Sequence, residues 1–149
     1  MLPIILTWLI RDGHVLAGAV WVGGYAALTL ALIPRLEKQA NEGLLGVTIT
    51  TMRLLSYTGT ATILLGLLLV TRTRGYATIW RGGEWGGIIV ACFIIALVLL
   101  GLGDGALRPA LKQLGAGRNT RRTRRLAWIC FVLTMIAIGL MTRTIYTFS

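Results

Sequence analysis

Four uncharged apolar stretches, Gly13–Pro34, Leu54–Thr71, Trp85–Gly103 and Leu126–Thr142, fill most of this chain, with basic loops between them. Each is close to the ~20 residues that carry a helix across a bilayer core. A backbone in lipid must satisfy its own hydrogen bonds, so stretches of this kind fold as helices. Within the third, Ile88–Gly103 is apolar all round and has no polar stripe for water, which suits a helix surrounded by lipid. The sequence therefore predicts an all-α integral membrane protein, a four-helix transmembrane bundle forming a single domain over residues 1–149.

Composition agrees, with 56% of the 149 residues of hydrophobic type. The net charge of +10 does not point to nucleic acid, because the basic residues lie beside the spans, where anionic lipid is the nearer partner. Arg35, Lys38, Arg53, Arg108, Lys112, Arg118, Arg121, Arg122, Arg124 and Arg125 fall on one face; Arg11, Arg72, Arg74, Arg81 and Arg143 fall on the other. The positive-inside rule then places both chain ends outside the cell membrane and the Arg108–Arg125 loop in the cytoplasm.

Before the first span, Leu2–Ile10 is apolar but too short to cross, and it lacks the basic region and cleavage site of a signal peptide. Joined straight to Pro34 it would give a helix of roughly 50 Å. The reading is an interfacial segment at 2–10, a bend near Arg11-Asp12-Gly13, and an end to the first span at Pro34. Cys92 and Cys130 fall at opposite depths and are expected to stay unpaired as small packing residues. Asp104 is placed to pair with Arg108 one turn on, or with Arg53.

No serine–histidine–acid set, phosphate-cradling glycine loop or paired carboxylate is evident, so no catalytic residue is assigned. Charged residues lie at span ends, which disfavours an ion pump. The remaining chemistry gathers around the only histidine. His14 lies just inside the outer interface, and offsets of four, seven and eleven put Gly18, Trp21 and Tyr25 on its helix face. Met141 lies at a similar depth on the fourth span, and Cys92 lies within a few turns of the same membrane face on the third. Imidazole, thioether and thiolate are ligands for heme iron or for copper. Arg72, Arg74 and Arg81, near the same face, are cations suited to heme propionates. Gly59 and Gly66, seven residues apart, offer a flat surface to a neighbouring helix.

His14, Trp21, Gly23-Gly24 and Pro34-Arg35-Leu36, followed by Arg53 and a second span running through Thr60-Ala61-Thr62, resemble the membrane domain of CopD-like copper-resistance proteins and their small four-helix relatives. The resemblance covers spans one and two. It implies a four-helix bundle with a copper or b-type heme site near the outer face, with His14 as the position carried over. More distantly, the histidine followed seven residues later by tryptophan is similar to the HemJ-type protoporphyrinogen oxidases. That family uses a lysine in a later helix, whereas Lys38 and Lys112 here both lie in loops.

Three functions follow as expectations. The first is a b-type heme protein exchanging electrons with a quinone or membrane oxidoreductase, with His14 and Met141 as ligands and Gly18, Trp21, Tyr25 and the three arginines around the ring. The second is copper handling through His14, Cys92 and Met141. The third is a cofactor-free accessory subunit of a larger membrane redox complex. The lipid bilayer is the expected partner, with a homodimer possible in geometry. The first two require the His14 ring to point inward between packed helices with a cavity next to it; otherwise only a membrane scaffold is left.

Overall fold

The structure, a computed structural model, describes residues 2–39, 41–81, 83–115, 120–144 and 146. In chain order it contains α1 (Leu2–Ala27), a π-helical turn (Leu28–Leu32), α2 (Ile33–Lys38), α3 (Glu42–Arg72), α4 (Tyr76–Trp80), α5 (Glu84–Leu102), a second π turn (Gly103–Leu107), α6 (Arg108–Gly115) and α7 (Thr120–Arg143). No strand occurs among the described residues. Each π turn joins its flanking helices into one continuous span. Four spans are long and apolar enough to cross a membrane: Pro3–Lys38, Glu42–Arg72, Glu84–Leu114 and Thr120–Arg143. The expected all-α four-helix bundle is therefore the fold the chain adopts. Arg118, in the basic loop, lies outside the described residues.

The spans pack in a ring: α1 on α3, α3 on α5 and α6, α5 on α7, and α7 back on α1. One end of the bundle carries His14, Arg72, Glu84 and Arg143. The other carries Pro34, Pro109 and the start of α7. The fully buried core lies toward this proline end, where Leu28, Leu36, Met52, Leu55, Leu99 and Leu107 meet. Large apolar side chains on the outer surface, such as Val15, Leu64 and Ile94, stay exposed, as lipid-facing positions must.

Two expected breaks are absent. α1 runs unbroken through Arg11-Asp12-Gly13, so Leu2–Ile10 is not a separate segment. Without Cβ, Gly13 instead admits α3: a Cβ there would sit 3.2 Å from Leu65 Cδ1. A mid-helix glycine costs about 1 kcal/mol relative to alanine, and a continuous hydrogen-bond ladder outweighs that in an apolar setting. Nor does Pro34 end its span. A proline removes one N–H and crowds the carbonyl four residues back. The π turn immediately before it widens the ladder, with Ile33 N–H bonding Leu28 O, and α2 then continues to Lys38.

The same device recurs before Pro109, where Arg108 N–H bonds Gly103 O. This repetition extends along the chain. Leu28–Leu32 and Gly103–Leu107 are separated by one constant spacing, and Ala31-Leu32-Ile33-Pro34 matches Ala106-Leu107-Arg108-Pro109. At that same spacing the buried positions of α3, Thr48, Met52, Leu55 and Gly59, fall on those of α7, Thr123, Ala127, Cys130 and Thr134. Ile10 falls on Trp85 and Leu36 on Leu111, all buried. The bundle is thus two similar helical hairpins in tandem, a parallel repeat about an axis along the bundle. Each π turn also carries a polar residue that reaches the other hairpin. Thr29 Oγ1 donates to Ala127 O at 3.2 Å, and Asp104 Oδ1 accepts from Ser56 Oγ at 2.8 Å.

Candidate functional site

His14 projects from α1 onto α3. Its Nδ1 lies 2.8 Å from Thr62 O, and the ring rests over Gly66, where a Cβ would approach Cε1 to 3.0 Å and Nδ1 to 3.3 Å. The ring is half-buried. A carbonyl can only accept, so Nδ1 carries the hydrogen and a neutral ring keeps its lone pair on Nε2. Nε2 is also the nitrogen farther from Gly66, at 3.9 Å from the same Cβ position. A metal-binding imidazole commonly has its other N–H held by a carbonyl in this way, which fixes both tautomer and ring orientation.

The antiparallel register of α1 and α3 builds the groove. His14 meets Gly66, Gly18 meets Thr62 and Trp21 meets Gly59. The seven-residue step from His14 to Trp21 therefore runs against the seven-residue step from Gly66 back to Gly59. The hydroxyls of α3 stay local: Thr58, Thr60 and Thr62 each bond the carbonyl four residues back. This leaves the Thr62 carbonyl, rather than its hydroxyl, as the partner of His14.

The residues expected to line a ring are not arranged around a cavity. Trp21 is 5% exposed and Tyr25 is 1% exposed, and both belong to the core. Trp21 packs against Gly59 through Cε2, Cζ2 and Nε1, and Nε1 is buried and without a partner. That nitrogen lies beside Gly59 of α3, 2.9 Å from where a Cβ would stand. Tyr25 donates to Leu99 O at 3.2 Å and lies against Gly103. Gly18 remains half-exposed beside Thr62.

Cys92 turns toward α7, with Sγ 3.8 Å from Ala137 O. Met141 is one turn beyond Ala137 on that helix face. Cys92 and the Met141 face thus share the α5–α7 groove, whereas the contacts of His14 are on α3. Among the described residues no group of three or more His, Cys, Asp or Glu side chains converges. The tandem repeat explains the separation: Ala137 occupies in the second hairpin the place of Thr62 in the first, and Met141 that of Gly66. The two grooves are matching sites on opposite hairpins, not halves of one site.

At the His14 end, Gly75 at φ 75° turns the chain out of α3, and α4 packs on the start of α5, where a Cβ at Gly86 would lie 2.7 Å from Ile79 O. Arg74 stacks over Trp85, 5.3 Å from the ring centre. Arg72 and Arg81 are exposed. Glu84 pairs with Arg143 across the ends of α5 and α7. At the other end Asp104 pairs with Arg108 at 3.2 Å and with Ser56; Arg53 is not its ion-pair partner. No protein family, curated protein or solved structure matches the chain.

Proposed function

We propose that this multi-pass membrane protein binds a b-type heme through His14 near one membrane face and exchanges electrons with a quinone or a membrane oxidoreductase. One observation carries the reading: the Nδ1 hydrogen is committed to Thr62 O, so Nε2 is free to coordinate in a fixed direction. The bound heme would supply one-electron chemistry. His14 would hold the iron through Nε2. Trp21 and Tyr25 fill the core and do not line a cavity, so among the expected residues the reading rests on His14, with Gly18 beside it on the same face. Arg72 and Arg81 offer cations to propionates. Met141 belongs to the other groove, so a second protein ligand would come from a second copy of the chain, as its own His14. By the positive-inside rule the His14 end is outside and the Arg121–Arg125 end cytoplasmic.

The dithionite-reduced spectrum of protein purified from its native membrane tests this. The expected result is a sharp α-band that is lost in His14→Ala while the variant keeps its helicity. Absence of a Soret band, even after heme supplementation, would overturn it. Stoichiometric copper lost in His14→Ala, without a Soret band, would favour copper handling instead. A second reading, a cofactor-free accessory subunit, is favoured by the filling of the core by Trp21 and Tyr25. It predicts co-purification with larger redox subunits that His14→Ala leaves intact.

A further inference from the structure

The start of α7 carries Arg121, Arg122, Arg124 and Arg125, all exposed, around a fully buried Thr123. Thr123 Oγ1 donates to Ala110 O at 3.2 Å and pins this turn to α6. The four arginines are therefore displayed from a docked helix, not from a loose tail. The ion pairs found among the described residues, Arg108–Asp104 and Arg143–Glu84, leave them without a carboxylate. No acidic residue lies in the first turn of α7.

This arrangement opposes the stability of its own helix. Like charges three and four residues apart repel, and cations are unfavourable at the positive end of the helix dipole. The tandem repeat supplies a comparison within the same molecule. Thr48, the counterpart of Thr123, is equally buried, and α3 begins with Asn41 capping Gly43 N–H and with Glu42 in the first turn. The counterparts of the four arginines are Gly46, Val47, Ile49 and Thr50. The first hairpin thus buries its threonine equally without cations beside it, although Thr48 bonds Leu44 O of its own helix. The charge serves something outside the fold, and charge that only set topology could lie anywhere in the loop.

We infer that the Arg121–Arg125 ridge is a binding site for an anionic phospholipid carrying two phosphodiesters, of the diphosphatidylglycerol type. Two shallow, open hollows between the side chains of α7 share Arg121 and Arg125. Arg122 and Leu126 line one, and Arg124, Trp128 and Ile129 line the other. Each hollow therefore has its own third arginine, matching one phosphate per side, and arginine forks suit phosphate oxygens. Trp128 lies within one turn of Arg125 and is exposed, as expected of an aromatic residue at the headgroup boundary. Below it Val132, Met135 and Ile136 are exposed and apolar, a surface for acyl chains. A soluble polyanion would have no use for that flank. The site is independent of His14.

The test uses the full chain in nanodiscs of phosphatidylcholine doped with diphosphatidylglycerol or, at matched charge, phosphatidylglycerol. Native mass spectrometry counts retained lipid. Wild type should retain the two-phosphate lipid preferentially, and Arg121→Gln with Arg125→Gln should lower that retention about tenfold. Arg35→Gln with Lys112→Gln, which removes equal charge from exposed positions at the same end, should leave it unchanged. Equal loss in both double variants would reduce the effect to net charge and overturn the proposal. So would equal retention of the two lipids by wild type, a comparison that needs no variant to fold. Displacement of the lipid by inorganic phosphate or by an acidic peptide would also overturn it, because the apolar flank would then contribute nothing.

Discussion

Gly59→Ala should destabilise the bundle, and removing Trp21 should reverse the sign of its effect. The added Cβ would lie 2.7 Å from Trp21 Cε2 and 2.9 Å from Cζ2 and Nε1, against 3.4 Å for ordinary contact. The ring must therefore retreat by about 0.5–0.7 Å, or α1 and α3 must separate, an overpacking that typically costs about 1–3 kcal/mol. The ring has little freedom to retreat, because it is buried and its centroid is 6.2 Å from that of Tyr25, whose hydroxyl is tied to Leu99 O. Against this, alanine is the better helix former by about 1 kcal/mol. Gly59→Ala should thus lie about 0–2 kcal/mol below wild type. Gly23→Ala, with open space around its Cβ, should gain up to about 1 kcal/mol.

Trp21→Ala alone should cost about 3–5 kcal/mol. In that background the clash is gone, and Gly59→Ala should become stabilising by the helix term, about 1 kcal/mol. Reversible unfolding in mixed micelles of rising denaturing-detergent fraction, followed by circular dichroism, gives all four stabilities. If Gly59→Ala matched Gly23→Ala in the wild-type background, or destabilised equally with and without Trp21, the close approach of α1 to α3 at this point would be wrong.

Three further outcomes follow from the same geometry. Gly66→Ala brings a Cβ within 3.0 Å of His14 Cε1 and should tilt the ring off Thr62 O, so heme retention should fall several-fold at nearly unchanged stability, read as Soret absorbance per protein. Tyr25→Phe removes the hydroxyl bond to Leu99 O and should cost about 0.5–1.5 kcal/mol in the same unfolding assay. Asp104→Asn keeps an acceptor for Ser56 and loses only a part-exposed ion pair with Arg108, so it should cost less than about 1 kcal/mol, whereas Asp104→Leu, which loses both partners, should cost measurably more.

The spans were legible because hydropathy is the one signal a bilayer reads directly, and the His14–Gly18–Trp21–Tyr25 face was legible because helical offsets are fixed by geometry. The continuity of the first span was not. Arg11-Asp12-Gly13 and Pro34 read as breakers, but an interrupted ladder in lipid has no solvent to turn to, so breaking the helix costs more than carrying these residues. A π turn leaves no mark in residue periodicity. The partner of His14 was half visible, since the spacing of Gly59 and Gly66 equals that of Trp21 and His14. Antiparallel pairing of α1 with α3 is the missing step that matches them. Placing Trp21 and Tyr25 around a cofactor failed for a simpler reason: the glycines that could have opened a cavity are filled by these same rings.

The tandem hairpins set the two proposed sites apart. Where the halves agree, at the π turns, the prolines and the buried positions of α3 and α7, the residues meet requirements of packing. Some differences are packing too, since Trp21 rests on Gly59 where the other hairpin has Ala96 and Thr134; two others are not. His14 has Ile89 as its counterpart, and its ring reaches the Thr62 carbonyl across Gly66, whose counterpart is the larger Met141. The arginine ridge likewise stands where the other hairpin is neutral. These two departures lie on different hairpins and at opposite ends of the bundle. A ligand-bearing imidazole near one headgroup layer and a phosphate-binding ridge near the other would leave the shared core free of both, so losing either should spare the fold.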